Sequence, residues 1–125
     1  MRYLVDSNII IYHLNGNNKA TDFLSKHKDH IAISQITYIE VLSYPFDEHI
    51  QIQIKKLLES FEIIDVTLDI SKQAINNIKL KKIKVPDNII ASTAIINNLI
   101  LVTRNTKDFD NLKINLLNPI DGENQ

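Results

Sequence analysis

The chain has 125 residues, a formal net charge of -1, no cysteine, and 44% hydrophobic against 23% charged residues. This length suits one hydrophobic core and this composition a folded globular protein, while the missing cysteine excludes disulfides, thiolate metal sites and a thiol nucleophile. With a sequence pI of about 6.4 the bulk charge does not advertise nucleic acid, so any such site must come from local clustering. No apolar run approaches the roughly 18 residues needed to span a bilayer and no leader-like segment opens the chain, which makes the cytoplasm the expected location.

In chain order, short apolar runs alternate with amphipathic stretches, the rhythm of a mostly parallel sheet covered by helices. Arg2 to Asp6 reads as the first strand, with Ser7 or Asn8 capping a helix that runs through Leu14. A turn at Asn15 to Asn18 leads to a helix over Thr21 to His27, then a second strand at Ile31 to Ile33. Ser34 caps a helix carrying Ile36, Ile39 and Leu42, ended by Pro45.

From Asp47, Ile50, Ile54, Leu57, Leu58 and Phe61 form one helical stripe, although Ile50 to Ile54 also alternates like a strand. Glu62 to Val66 is the third strand, and Asp69 to Lys82 a helix ending in the basic run KLKKIK. Pro86 suits the first turn of a helix that stops at Asn97-Asn98. Leu99 to Thr103 is the fourth strand, followed by the polar turn RNTKDFDN, a last strand at Ile114 to Leu117, and a polar tail from Asp121. With no repeat and no linker, residues 1–125 read as a single domain.

Four places put acids where chemistry could use them. Asp6 closes an apolar strand, and in open parallel sheets ligands bind outside the carboxyl ends of the strands; a helix cap is its other reading. Glu40 shares a helix face with Ile36, Ile39 and Ser43, where an acid is costly unless paired, metal-bound or in reach of water. Asp87 lies in a helix first turn, which the macrodipole alone would favour, but it also shares a face with Ile90, Ala91 and Ala94. Asp108 and Asp110 follow the fourth strand in a polar turn of ordinary loop composition.

In their order and spacing, Asp6 in YLVDSNIII, Glu40 in SQITYIEVL, Asp87 in VPDNIIASTAI and the segment LVTRNTKDFD resemble the PIN-domain ribonucleases, specifically the small VapC toxins, from Arg2 to about Pro119. The resemblance implies a three-layer α/β/α sandwich around a central, mostly parallel sheet of four to five strands. It implies that Asp6, Glu40 and Asp87 are the core acids of a divalent metal site. The fourth acid falls to Asp108, because Asn105 stands where some members carry Asp, with Asp110 as the lesser candidate. Ser7 keeps the hydroxyl of the Thr found in many members, and Asn8 matches. Partners implied are a second copy of the chain and a small antitoxin protein, for whose contact Tyr12, Tyr44 and Ile52 are candidates alongside ordinary surface roles.

Phosphodiester hydrolysis gives an independent reason for such a constellation. Clustered carboxylates can hold one or two Mg²⁺ or Mn²⁺ ions, which neutralise phosphate charge and activate water. Without a cation the acids repel one another. Thr103 and Asn105 would orient a water or phosphate oxygen, and the RNA backbone would follow Lys79, Lys81, Lys82, Lys84, Arg104 and Lys107, unless the lysines are only the solvated end of a helix. Two rivals stand beside this reading. A receiver-like phosphoacceptor domain would use Asp65 and Thr103 but leaves Glu40 and Asp87 unexplained; a PIN-like module could bind RNA or protein without cleaving it.

Overall fold

The computed structural model describes residues 2–124. Its strands are short: β1 (Tyr3–Val5), β2 (Ile31–Ser34), β3 (Glu62–Ile64), β4 (Ile100–Val102), β5 (Leu116–Asn118) and β6 (Glu123–Asn124). They form one sheet in the order β3-β2-β1-β4-β5-β6, the first five parallel and β6 antiparallel to β5. Six helices accompany them: α1 (Ser7–Leu14), α2 (Asn18–Lys26), α3 (Gln35–Leu42), α4 (Glu48–Glu59), α5 (Leu68–Leu80) and α6 (Val85–Ile96). The expected sandwich is therefore present.

Alternation along each strand divides the interior in two. Leu4, Ala32, Leu101 and Leu116 stand in register and point to a core closed by Ile90, Ala91 and Ala94 of α6, together with Phe109. Val5, Ile33 and Val102 point the other way, against Ile9 and Ile10 of α1, Phe23 and Leu24 of α2, Val41 of α3, and Ile54 and Leu58 of α4. All these residues are at most 8% exposed, so both faces of the sheet are covered.

The strand order sets the place of the site. From β1 the chain moves by way of α1 and α2 to β2 on one side; from β3 it returns by way of α5 and α6 to β4 on the other. Right-handed crossovers running in opposite directions put their helices on opposite faces and open a crevice at the carboxyl ends of β1 and β4. Asp6 and Thr103 are the residues that follow those two strands.

Capping residues explain where expected boundaries shift. Asn17 accepts from the Ala20 amide at 3.0 Å, so α2 begins at Asn18 and not Thr21, with Gly16 at φ +86° making the turn before it. Asp47 accepts from the Ile50 amide at 2.9 Å, which decides Ile50 to Ile54 as helix. Thr67 caps α5 through the Ile70 amide at 3.2 Å. The third strand stops at Ile64, because the Val66 amide donates to the Gln35 side chain at 3.3 Å. Asn98, at φ 53°, ends α6 as the Asn pair predicts. The last two strands depart most: β5 is displaced to Leu116–Asn118, and the tail expected to be only polar supplies β6.

One polar interface stands out. The Asn77 side chain of α5 donates to Asn88 Oδ1 and to Ser92 Oγ of α6, both at 3.0 Å, and the Asn88 amide donates to the Ala74 carbonyl at 2.9 Å. Gln73 completes the set by donating to Asn77 Oδ1 at 3.0 Å. Asn77, Asn88 and Ser92 are buried, and among the described residues no buried side-chain polar atom lacks a partner.

Candidate active site

Asp6 is buried, 6% exposed, at the carboxyl end of β1. Its Oδ1 accepts from the Ser7 amide at 2.7 Å, and its Oδ2 accepts from Thr103 Oγ1 at 2.9 Å and from Asn8 Nδ2 at 3.4 Å. Asp6 therefore caps α1 and at the same time lines the crevice. Burial pushes its carboxyl up to about 6, against the opposing help of Thr103 and Ser7, and the charges of Asp87 and Glu40 add to the rise.

Ser7 ties the second acid to the first. Its amide holds Asp6, while its Oγ donates to Glu40 Oε1 at 2.6 Å and approaches Thr37 Oγ1 at 3.3 Å. Glu40 is half-buried on α3, at the margin of the helix face as its spacing suggests. Asp87, in the first turn of α6, is half-buried as well. Its carboxyl is raised by burial first, then by Asp108 and Glu40, with Lys84 pulling the other way.

These three acids line one cavity of about 690 Å³ together with Ser7, Asn8 and Asn105. One wall is apolar: Ile11, Tyr12, Ile39 and Tyr44 complete it, Ile39 and Tyr44 being 55% and 50% exposed. None of the four histidines lines it. Among the described residues no three His, Asp or Glu side chains stand close enough to form a finished ligand cluster. The acids share a cavity and each other's field without converging on one point. The donors nevertheless fit a hard divalent cation, since all are carboxylates, and Mg²⁺ characteristically takes one or two carboxylates and keeps several waters.

The fourth position is divided between two residues. Asn105 reaches the main cavity, its amide bonded to Thr103 Oγ1 at 3.1 Å. Asp108 stands on the other side of Asp87, on a 3-10 turn over Thr106–Phe109, and lines a groove of about 380 Å³ with Asp87, Lys81, Lys82, Lys84 and Lys107. Asp110 lines neither of these cavities and pairs with Lys81. Arg104 turns from this groove: its Nη1 donates to Tyr12 Oη at 2.7 Å and its Nε lies 3.5 Å from Asp121. Lys79 does not line either cavity.

Sequence reasoning singled out Tyr12 and Tyr44 of the apolar wall but missed Ile11 and Ile39, and it missed Thr37 and Phe109. Thr37 lies three residues before Glu40, one helical turn away, so helical spacing could have found it. Phe109, the lone aromatic of the polar turn, was a visible anchor signal. Ile39 gave no signal, because it belongs to a periodic apolar stripe and only the fold shows that it is left outside the core. Asp65, the phosphoacceptor of the rival reading, is exposed after β3 at the sheet edge, with β2 between that strand and β1. It faces none of the acids gathered in the cavity.

An open α/β sheet with acids gathered at its strand-order reversal defines a ligand-binding crevice of the doubly wound class. A family model described as PIN domain matches residues 3–115, and the chain belongs to the PIN domain family. Among solved structures, a chain of a toxin-antitoxin complex from Klebsiella pneumoniae is similar at 34% identity and TM-score 0.84, over 94% of this chain and 97% of that one. A chain of VapBC2 from Rickettsia felis, bound to a DNA fragment from its promoter, is similar at 27% identity and TM-score 0.80, over 94% and 98%. A chain of FitAcB from Neisseria gonorrhoeae, at 21% identity and TM-score 0.82 over 94% and 97%, shares the fold. No curated protein sequence matches significantly. The kinship is to VapC-type toxins, and PIN domains are nucleases, so the family resemblance drawn from the four segments is borne out.

Proposed function

We propose that the chain is a single-domain, metal-dependent endoribonuclease that acts in the cytoplasm as the toxin of a toxin-antitoxin pair. The observation that carries the reading is the one cavity that Asp6, Glu40 and Asp87 all line, with Asp6 raised to about 6 by burial and by the other two charges. Three carboxylates gathered at such cost invite a cation. Bound there, Mg²⁺ or Mn²⁺ would neutralise charge on the scissile phosphate and lower the cost of activating water.

The chain's own residues do the positioning. Asp6, Glu40 and Asp87 would hold the ion, with Asp108 contributing from beyond Asp87. Ser7 fixes Glu40 and Asp6 relative to each other, and Thr103 orients the Asp6 carboxylate. Asn8, bonded to Thr103 Oγ1 at 3.2 Å, braces that pair, while Asn105 presents an amide to a phosphate oxygen. Lys82, Lys84 and Lys107 flank the groove next to Asp87 and suit the RNA backbone.

The apolar wall beside the acids suits an antitoxin segment: Ile39 and Tyr44 give it exposed apolar area, and the Klebsiella pneumoniae neighbour comes from a toxin-antitoxin complex. Exposed Leu68, Ile75 and Ile78 on α5 suit a homodimer contact. Among the described residues no helix is long and apolar enough to cross a membrane.

The test is purified protein incubated with RNA and Mg²⁺ or Mn²⁺. Wild type should cleave, chelation should stop it, and Asp6→Asn and Asp87→Asn should each lower the rate by at least about a hundredfold, the scale of losing a charge-stabilising group. Undiminished cleavage by both variants would sink the site.

A further inference from the structure

Lys81 was grouped above with the cations that could follow RNA, yet its ammonium is already engaged. It donates to the Lys107 carbonyl at 2.9 Å and pairs with the Asp110 carboxylate. The Lys81 side chain is 18% exposed, whereas Lys82 and Lys84 are exposed. Backbone conformation brings it there: α5 ends at Leu80, Lys81 is extended at φ -158° and ψ 138°, and Ile83 two residues later is buried in the core.

What it grips is specific. The Lys107 carbonyl belongs to the peptide unit that joins Lys107 to Asp108, so a bond to that oxygen fixes the plane from which Asp108 departs. On the other side of Asp108, Phe109 is 1% exposed and packed in the core. The same Lys107 carbonyl accepts from the Asp110 amide at 3.4 Å, and the Asp108 amide donates to the Asn105 carbonyl at 3.0 Å. Asp108 itself is exposed, and among the described residues its side chain makes no hydrogen bond or ion pair.

We infer that Lys81 is a positioning residue that clamps the Thr106–Phe109 turn and so sets Asp108 beside Asp87, leaving RNA contact to Lys82, Lys84 and Lys107. The inference rests on the metal-site reading for its consequence, but the clamp itself is a property of the metal-free protein. Asp110 is the other half of the clamp. Its role is to hold Lys81, which explains why a second acid follows Asp108 without joining the site.

The experiment uses Lys81→Met, Asp110→Asn, the double variant and Lys81→Arg. Amide hydrogen exchange at Asp108 and Asp110 is measured first, without metal. Both single variants should speed it at least about fivefold, the double no more than the worse single because the two share one interaction, and Lys81→Arg should restore most of the protection. Mn²⁺ titration follows, where each single variant should bind roughly tenfold more weakly, the scale of losing a group that orients a ligand. A field effect would instead move the two in opposite directions, since removing a cation near the acids strengthens metal binding and removing an anion weakens it. Unchanged exchange in both variants overturns the clamp whatever the metal does. So does tighter RNA binding by Asp110→Asn with a shallower salt dependence for Lys81→Met, the pattern of a lysine that contacts phosphate. If wild type binds no Mn²⁺ while exchange responds as expected, the metal reading fails and the clamp stands.

Discussion

Asp6 carries an opposition between stability and chemistry. Its folded carboxyl is raised from 3.8 to about 6, so in the metal-free protein the stability linked to its proton is fully present below the unfolded value and is lost as pH rises through about 6. A rise of about two pK units corresponds to roughly 3 kcal/mol. Asp6→Asn removes the buried charge while keeping a polar group for Ser7 and Thr103. Metal-free Asp6→Asn should therefore unfold at higher urea than wild type at pH 8, by up to about 3 kcal/mol, with the gap closing towards pH 4. The same substitution that is expected to slow cleavage should make the protein more stable. A variant less stable than wild type at both pH values would show that the bonds to Ser7 and Thr103 outweigh the buried charge. Protons compete with metal for the same oxygens, so Mn²⁺ affinity in wild type should fall steadily below pH 6, followed by titration calorimetry.

Among the elements, the Thr106–Phe109 turn is anchored in the core by one aromatic side chain. Phe109 fills the core formed by Leu4, Leu101 and Leu116, and removing a buried aromatic costs about 3–5 kcal/mol. Phe109→Ala should lose that much in urea unfolding and should also open the turn to proteolysis between Asn105 and Asp110; loss of stability with the turn still resistant would mean that Lys81 suffices to hold it. Helices α3 and α6 were legible to their ends because each carries a cap or a stop in its own letters, Ser34 for one, Pro86 and the Asn97-Asn98 pair for the other, while the caps Asn17, Asp47 and Thr67 emerge only in the structure. The strands were legible in place but not in length, since ladder ends are decided by partners far along the chain, such as Gln35 for Val66. Strand β6 left no signal, for two residues have no period. Of the candidate site, the grouping of Asp6, Glu40 and Asp87, which now line one cavity, came from the family resemblance of their segments and not from any one of them alone. The partition of the fourth position between Asn105 and Asp108, and the engagement of Lys81, could not, because both depend on how a turn folds against another helix's end.

Over the whole molecule, a net charge of -1 hides a strong separation of sign: acids at the floor of the crevice, and Lys82, Lys84 and Lys107 along the groove beside Asp87. RNA should approach from the lysine side, with the apolar wall of Tyr12, Ile39 and Tyr44 opposite. Replacing Lys82, Lys84 and Lys107 together by Met should reduce the slope of log affinity against log salt by roughly two, given about 0.7 per phosphate contact on a single strand. An unchanged slope would remove these lysines from the RNA path. The seam between α5 and α6 has a consequence of another kind. Two helices meeting through leucines alone can slip by a turn, about 5.4 Å, and still bury oil against oil. Asn77, Asn88 and Ser92 match donors to acceptors at one setting only, and Asn88 is the immediate neighbour of Asp87. The acid's coordinates along the helix axis are thereby written in amide chemistry, leaving the outer surfaces of both helices free to change without moving Asp87.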